Sequence, residues 1–169
     1  MLPQAKSLRR AIHSDPYIGG SEQPTADLLR SALTRPTTPV ADTGFWTRLG
    51  PDGPSVALRS ELDALPLTED TGVDWASTNG AMHACGHDIH MAAVWSVIKA
   101  AGKMDLPAGL LGIYQPREEC QPSGAPDVLR SGLLAASPAT LVFHSAQLVT
   151  SLRAFVRSLA TLLKSSVLK

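Results

Sequence analysis

Apolar positions along the chain change their period several times, and each change marks an element. Residues 4–13 read as a short helix that stops near Asp15 and Pro16, since proline cannot continue a helix and restricts the residue before it. A second helix opens at Pro24 or Thr25, carries Leu28, Leu29 and Leu33, and is closed by Pro36 and Pro39. Gly50-Pro-Asp-Gly-Pro54 is a turn signal, and it leads into a strand from Ser55 to Leu62 that ends at Asp63 to Pro66. Met91, Val94, Val97 and Ile98 recur at helical spacing, so a helix is predicted from a cap at Asp88 to Gly102. The near-continuous apolar run 108–115 is that of a strand buried on both faces. Residues 124–132 read as a short helix, and Ala139 to His144 as another buried strand. Strands alternating with helices predict an α/β fold with a largely parallel sheet. The carboxyl ends of such strands are where ligands gather, and Glu118, Glu119 and His144 fall there.

Composition narrows the class more than it names a function. With 169 residues there is room for one domain with a real core. Hydrophobic residues at 44% against 18% charged exclude a disordered chain. Lysine plus arginine and aspartate plus glutamate balance at 15 each, so charge provides no reason to expect nucleic acid as a partner. The balance is uneven: residues 151–169 carry Arg153, Arg157, Lys164 and Lys169 with no acid. No apolar run reaches the roughly 18–20 residues that span a bilayer. The first residues show no apolar signal-peptide core, and the two cysteines, Cys85 and Cys120, do not make a disulfide framework. A cytoplasmic protein is expected.

The chemistry is concentrated in two places. Residues 81–90 read Ala-Met-His-Ala-Cys-Gly-His-Asp-Ile-His, which puts three imidazoles, a thiol and a carboxylate within eight positions. Gln115-Pro-Arg-Glu-Glu119 supplies two adjacent carboxylates about thirty residues later. Taken as ligands, Cys85, His87 and Glu119 mix soft, borderline and hard donors, which suits zinc, manganese, cobalt or nickel better than magnesium or calcium. Gly86 lets the backbone bend so that Cys85 and His87 converge. Neighbours in an extended segment point to opposite sides, so one of Glu118 and Glu119 is expected on the metal and the other facing substrate as a general base. A metal site with a free carboxylate taking the proton of the attacking water is a way to hydrolyse amides. A closed structural zinc site would need cysteine and histidine but not Glu119. His83 and His90 are supporting or substrate-facing groups, and His144 is a ligand or a buried bystander. Asp63 either orients a ligand or caps a turn.

Met82 to His90 and Gln115 to Glu119 closely resemble the aminoacylase/carboxypeptidase metallopeptidase family, and its amidohydrolase branch in particular. That branch includes hippurate hydrolases, N-acyl-amino-acid and N-acetyldiaminopimelate deacetylases, and auxin-conjugate hydrolases. Leu8 to Pro16, Ala57 to Pro66 and Ser123 to Ala125 look like the same branch, so the resemblance runs from about residue 6 to about residue 144. It implies part of a three-layer α/β/α zinc-peptidase-like catalytic domain without the lid or dimerisation domain. It also implies a centre of two divalent transition metals (Mn, Zn, Co or Ni) held by Cys85, His87, Glu119 and His144, with Glu118 as general base and later acid. Asp63 falls on the aspartate near the start of the site. The implied reaction is hydrolysis of the amide that joins an acyl group to an amino acid.

The resemblance also implies parts not found in this sequence, namely the inserted lid domain and a final metal-binding histidine; none follows His144. Residues 1–148 are thus expected to form the first part of a catalytic domain. Residues 149–169 are expected to be a divergent basic amphipathic tail, with Leu152, Phe155, Val156, Leu159, Leu162 and Leu163 on one face. The expectation is a truncated amidohydrolase acting on N-acyl-amino acids, with impaired turnover. The rival expectations are a non-catalytic metal-binding remnant, one half of a split enzyme completed by a C-terminal partner or a homodimer, or a chain that does not fold stably.

Overall fold

The computed structural model describes residues 2–135 and 137–142. Two helices open the chain, α1 (Leu2–Ser14) and α2 (Gln23–Leu33), the second with proline in its first turn and Thr34 in the left-handed region after its end. Strands β1 (Thr38–Val40) and β2 (Gly44–Leu49) follow as an antiparallel pair. Then come β3 (Ser55–Glu61), α3 (His87–Ala101), β4 (Gly109–Gln115), α4 (Ala125–Arg130) and β5 (Ala139–Val142).

The sheet runs in the order β1-β2-β4-β3-β5. β3 pairs in parallel with β4 and β5, whereas β2 pairs antiparallel with β4 and with β1. The expected α/β class holds, with parallel strands around the site and an antiparallel hairpin added along one side. That hairpin is the element the hydrophobic pattern misses. Its strands are short, Pro39 sits inside one of them, and its turn places Ala41 and Asp42 at positive φ without the glycine that would announce it.

Helices cover both faces of the sheet. Leu8 and Ile12 of α1, Leu29 and Leu33 of α2, and Met91, Val94 and Ile98 of α3 pack on one face with Phe45, Val56, Leu58, Leu110 and Tyr114. Leu111 and Ile113 point the other way and meet Val40, Ala57 and Val128 of α4. The alternation along β4 is the period-2 pattern of a strand, and every one of its residues is buried. α3 lies close against the sheet: a Cβ on Gly112 would meet Ile98 Cγ1 at 2.9 Å. No helix among the described residues is long and apolar enough to cross a membrane.

One boundary differs from expectation. Asp88 is not the cap of α3; the helix starts at His87, and Gly86 with φ 80° stands at its N-cap, two residues before the expected one. The Asp88 side chain turns instead to α1, 2.6 Å from Arg9 Nε and 2.8 Å from His13 Nδ1. Phe143, His144 and residues 145–169, with the tail predicted there, lie outside the described residues.

Candidate metal centre

Three segments converge because β3 and β4 are parallel neighbours with Glu61 opposite Gln115. Both strands therefore release their chains at the same edge of the sheet. β3 continues through Leu62 to Asp63, β4 continues to Arg117, Glu118 and Glu119, and the first turn of α3 brings His87 and His90. Gly86 adopts the left-handed conformation that reverses the chain between Cys85 and His87.

Asp63 binds these segments together. Its carbonyl oxygen accepts from His87 Nδ1 at 2.8 Å, which leaves Nε2 of that ring for the site. Its carboxylate oxygen Oδ2 accepts the Glu119 backbone N–H at 2.8 Å. Burial raises the Asp63 carboxyl above its ordinary value, against the lowering effect of the backbone N–H groups of Glu119 and Glu118 and of His87. Of the two sequence readings for Asp63, orientation of a ligand is the one this geometry supports.

Glu118 and Glu119 do not diverge as an extended segment would require. Arg117 takes φ 52°, the chain bends over 118–120, and one oxygen from each carboxylate lies 3.7 Å from His87 Nε2. Glu22, fully buried, secures the bend: its Oε1 accepts the Arg117 N–H at 2.8 Å and its Oε2 accepts the Thr43 hydroxyl at 3.0 Å. Cys85 is solvent-exposed, and its thiol is pushed up to about 11 by a hydrogen bond to Glu119, then by burial and the nearby charges of Glu119, Glu118 and Asp63. A cation among these carboxylates would reverse that electrostatic balance and favour the thiolate.

Two groups of three among the described residues have ligand atoms within 4.8 Å of one another: His87 with Glu118 and Glu119, and Glu61 with His87 and His90. The first unites three residues singled out in the sequence, with Cys85 joined through Glu119. Carboxylate oxygens drawn together at one buried imidazole, with the Cys85 thiol hydrogen-bonded to Glu119 and no lysine or arginine paired to Glu118 or Glu119 among the described ion pairs, fit a divalent transition metal. The second group contains Glu61, which the sequence reading passed over. A carboxylate at the carboxyl end of β3, where ligands gather in such sheets, is the signal that marks it. Glu61 Oε2 is 3.1 Å from His90 Nδ1 and Oε1 is 2.5 Å from Arg59 Nη1. Burial opposes its ionisation, but His90, Arg59 and His87 outweigh burial and hold the carboxyl below its ordinary value. His83 is buried, and desolvation brings it down to about 4, so it is neutral at pH 7.

An N-acetyldiaminopimelate deacetylase of Oenococcus oeni is 37% identical over 127 residues, 69% of this chain and 33% of that protein. An Arabidopsis thaliana protein named IAA-amino acid hydrolase ILR1-like 6 is 35% identical over 150 residues, 82% of this chain and 32% of that protein. A Rhodococcus jostii protein named for a different activity, glutamate–cysteine ligase 2-3, is 36% identical over 132 residues, which are 75% of this chain but 17% of that one. The crystal structure of a Bacillus subtilis protein described as a dinuclear metal binding peptidase from the M20 family superposes with a TM-score of 0.79 at 30% identity, covering 85% of this chain and 43% of that chain. The chain thus spans a third or less of the length of these curated relatives. Residues 57–153 match the family described as Peptidase family M20/M25/M40, and the chain belongs to that family.

Proposed function

We propose that this chain is the metal-binding part of an amidohydrolase that cleaves the amide bond of N-acyl-amino acids, with Cys85, His87, Glu119 and His144 as metal ligands and Glu118 as general base and acid. The observation that supports it most is the convergence of Glu118 and Glu119 on His87 Nε2, each at 3.7 Å. Glu119 is the carboxylate hydrogen-bonded to Cys85 and anchored through its backbone to Asp63, so it belongs with the ligands. Glu118 is the more exposed of the two, 28% against 18%, and is the one left to meet solvent and substrate. Relatives named as deacetylases and as an amino acid conjugate hydrolase support a small N-acyl-amino-acid substrate.

Two divalent transition metals (Mn, Zn, Co or Ni), when bound, supply Lewis-acid polarisation of the amide carbonyl. The chain's own part in the reaction is positional and protonic. Asp63 holds the His87 ring in orientation through its carbonyl and fixes the Glu119 backbone through its carboxylate. Glu118 takes a proton from the attacking water at a carboxylate oxygen and returns it to the amine nitrogen as the C–N bond breaks. Residues 1–148 are the catalytic portion in this reading. A C-terminal half or a second copy of the chain is the macromolecular partner in this reading. Two free cysteines are in keeping with a cytoplasmic setting.

The test is metal content measured beside a panel of N-acetyl-amino acids and hippurate. Cys85→Ser, His87→Ala and Glu119→Gln are expected to weaken metal binding on the Cys85–Glu119 side at least tenfold. Glu118→Gln is expected to keep the metal while losing whatever hydrolysis the unsubstituted chain shows. Hydrolysis that survives Glu118→Gln would overturn the assignment of the base.

A further inference from the structure

His87 is shared by two groups of potential ligands, and the second group contains no thiol and neither residue of the Glu118–Glu119 pair. Glu61 is 1%, His87 4% and His90 5% exposed, so this inner group is more enclosed than the outer one. Glu61 leaves the end of β3 and His90 lies one turn into α3, and these two elements pack against each other. Their backbones are thus held by regular structure rather than by a loop. Arg59 occupies Glu61 Oε1 and leaves Oε2 directed at His90 Nδ1, 3.1 Å away. An ion bonded to nitrogen and to a carboxylate oxygen at about 2.0–2.2 Å sets those two atoms roughly 3–3.4 Å apart, so this pair is already spaced as a chelate. His87 supplies the third donor, with a nitrogen within 4.8 Å of both.

We propose that Glu61, His87 and His90 form an inner binding position for a divalent transition metal, distinct from the Cys85–Glu119 side in two of its three ligands and competing with it for His87. With His87 Nδ1 committed to the Asp63 carbonyl, one ring nitrogen remains, and it serves one ion at a time. Two imidazoles and one carboxylate select Zn, Co, Ni or Mn over Ca or Mg. The proton now held between Glu61 and His90 leaves to solvent when the ion enters. Arg59 then plays the part of a neighbour that orients a ligating carboxylate, and its charge keeps the position weaker than it would otherwise be. The inference rests on the reading of His87 as a ligand but not on that of Cys85, Glu118 or Glu119.

Cobalt(II) titration of the full chain separates the two sites, because thiolate ligation adds a sulfur-to-cobalt charge-transfer band that nitrogen and oxygen ligands do not. In Cys85→Ala protein the expected result is one equivalent of bound cobalt without that band. A further Glu61→Gln or His90→Gln substitution is then expected to weaken binding at least tenfold. Near-ultraviolet circular dichroism of each variant shows that the core is intact, and counting nitrogen and oxygen neighbours by X-ray absorption checks the ligand set independently. Loss of all cobalt uptake in folded Cys85→Ala protein overturns the inner position, and so does uptake that Glu61→Gln and His90→Gln leave unchanged. A thiolate band in the unsubstituted chain reports on the Cys85 site alone, so failure of the inner position and failure of the functional reading give different results.

Discussion

At the scale of single residues, the site is built on carboxylates that do not themselves belong to the metal-binding motif. Glu22 and Asp63 are fully buried and each accepts a backbone N–H from the Arg117–Glu119 bend. Removing such an acceptor leaves a buried donor without its partner, which costs about 1–3 kcal/mol and releases the bend. Glu22→Ala is therefore expected to destabilise the fold by about 1–3 kcal/mol and to weaken metal binding, while Glu22→Gln, which keeps an accepting oxygen, restores most of both. Denaturant unfolding and metal titration check this pair of variants together. Equal loss in the two would show that the charge of Glu22 matters rather than its hydrogen bond. Nothing in the local sequence marked Glu22, because Ser21-Glu-Gln reads as the polar start of a helix. Its partner lies 95 residues away. Cys85 and His87, by contrast, stand out in the sequence, since they flank a single glycine.

Among elements, α3 is placed by the contacts on its first turn. Asp88 there meets Arg9 and His13 of α1, and the other ring nitrogen of His13, Nε2, meets Glu69 Oε1 at 2.9 Å. Glu69 also accepts from Thr71 and from the Ser77 N–H. Burial works against ionisation of Glu69, but the hydrogen bonds from His13, Thr71 and Ser77 prevail and bring it down to about 2. A carboxyl depressed in the folded state contributes stability that is fully present above its unfolded value of about 4.5. That contribution is lost as pH falls through the folded value. Stability is therefore expected to decline between about pH 4.5 and about pH 2, and Glu69→Gln should remove this part of the decline while lowering stability at pH 7. Urea unfolding across that range measures both. A second element-level test concerns the contact between α3 and β4. Gly112→Val would force its side chain into Ile98, and overpacking of this kind costs about 1–3 kcal/mol. The midpoint of thermal unfolding should fall accordingly.

For the whole molecule, the sheet has apolar clusters on both faces that share β4. One cooperative unit predicts that Leu58→Ala on one face and Leu111→Ala on the other each cost about 2–5 kcal/mol, with a single thermal transition kept in both. Two separate transitions would mean that the faces fold independently, and the absence of any transition would favour a chain that is not stably folded. What the sequence determined alone is whatever depends on near neighbours. The helix periods of α2 and α3, the β3 strand after its Gly-Pro turn, the buried run of β4, and the Cys85–His87 pair around a glycine are of this kind. The tertiary structure decided what depends on which strands lie side by side. It set β3 beside β4 in register, so that Glu61, Asp63 and Glu119 meet His87, and it bent the Arg117 segment so that two adjacent glutamates face the same ring. It also turned Asp88 from an expected helix cap into a tie to α1, because a buried carboxylate takes the strongest donors within reach, and those come from distant parts of the chain.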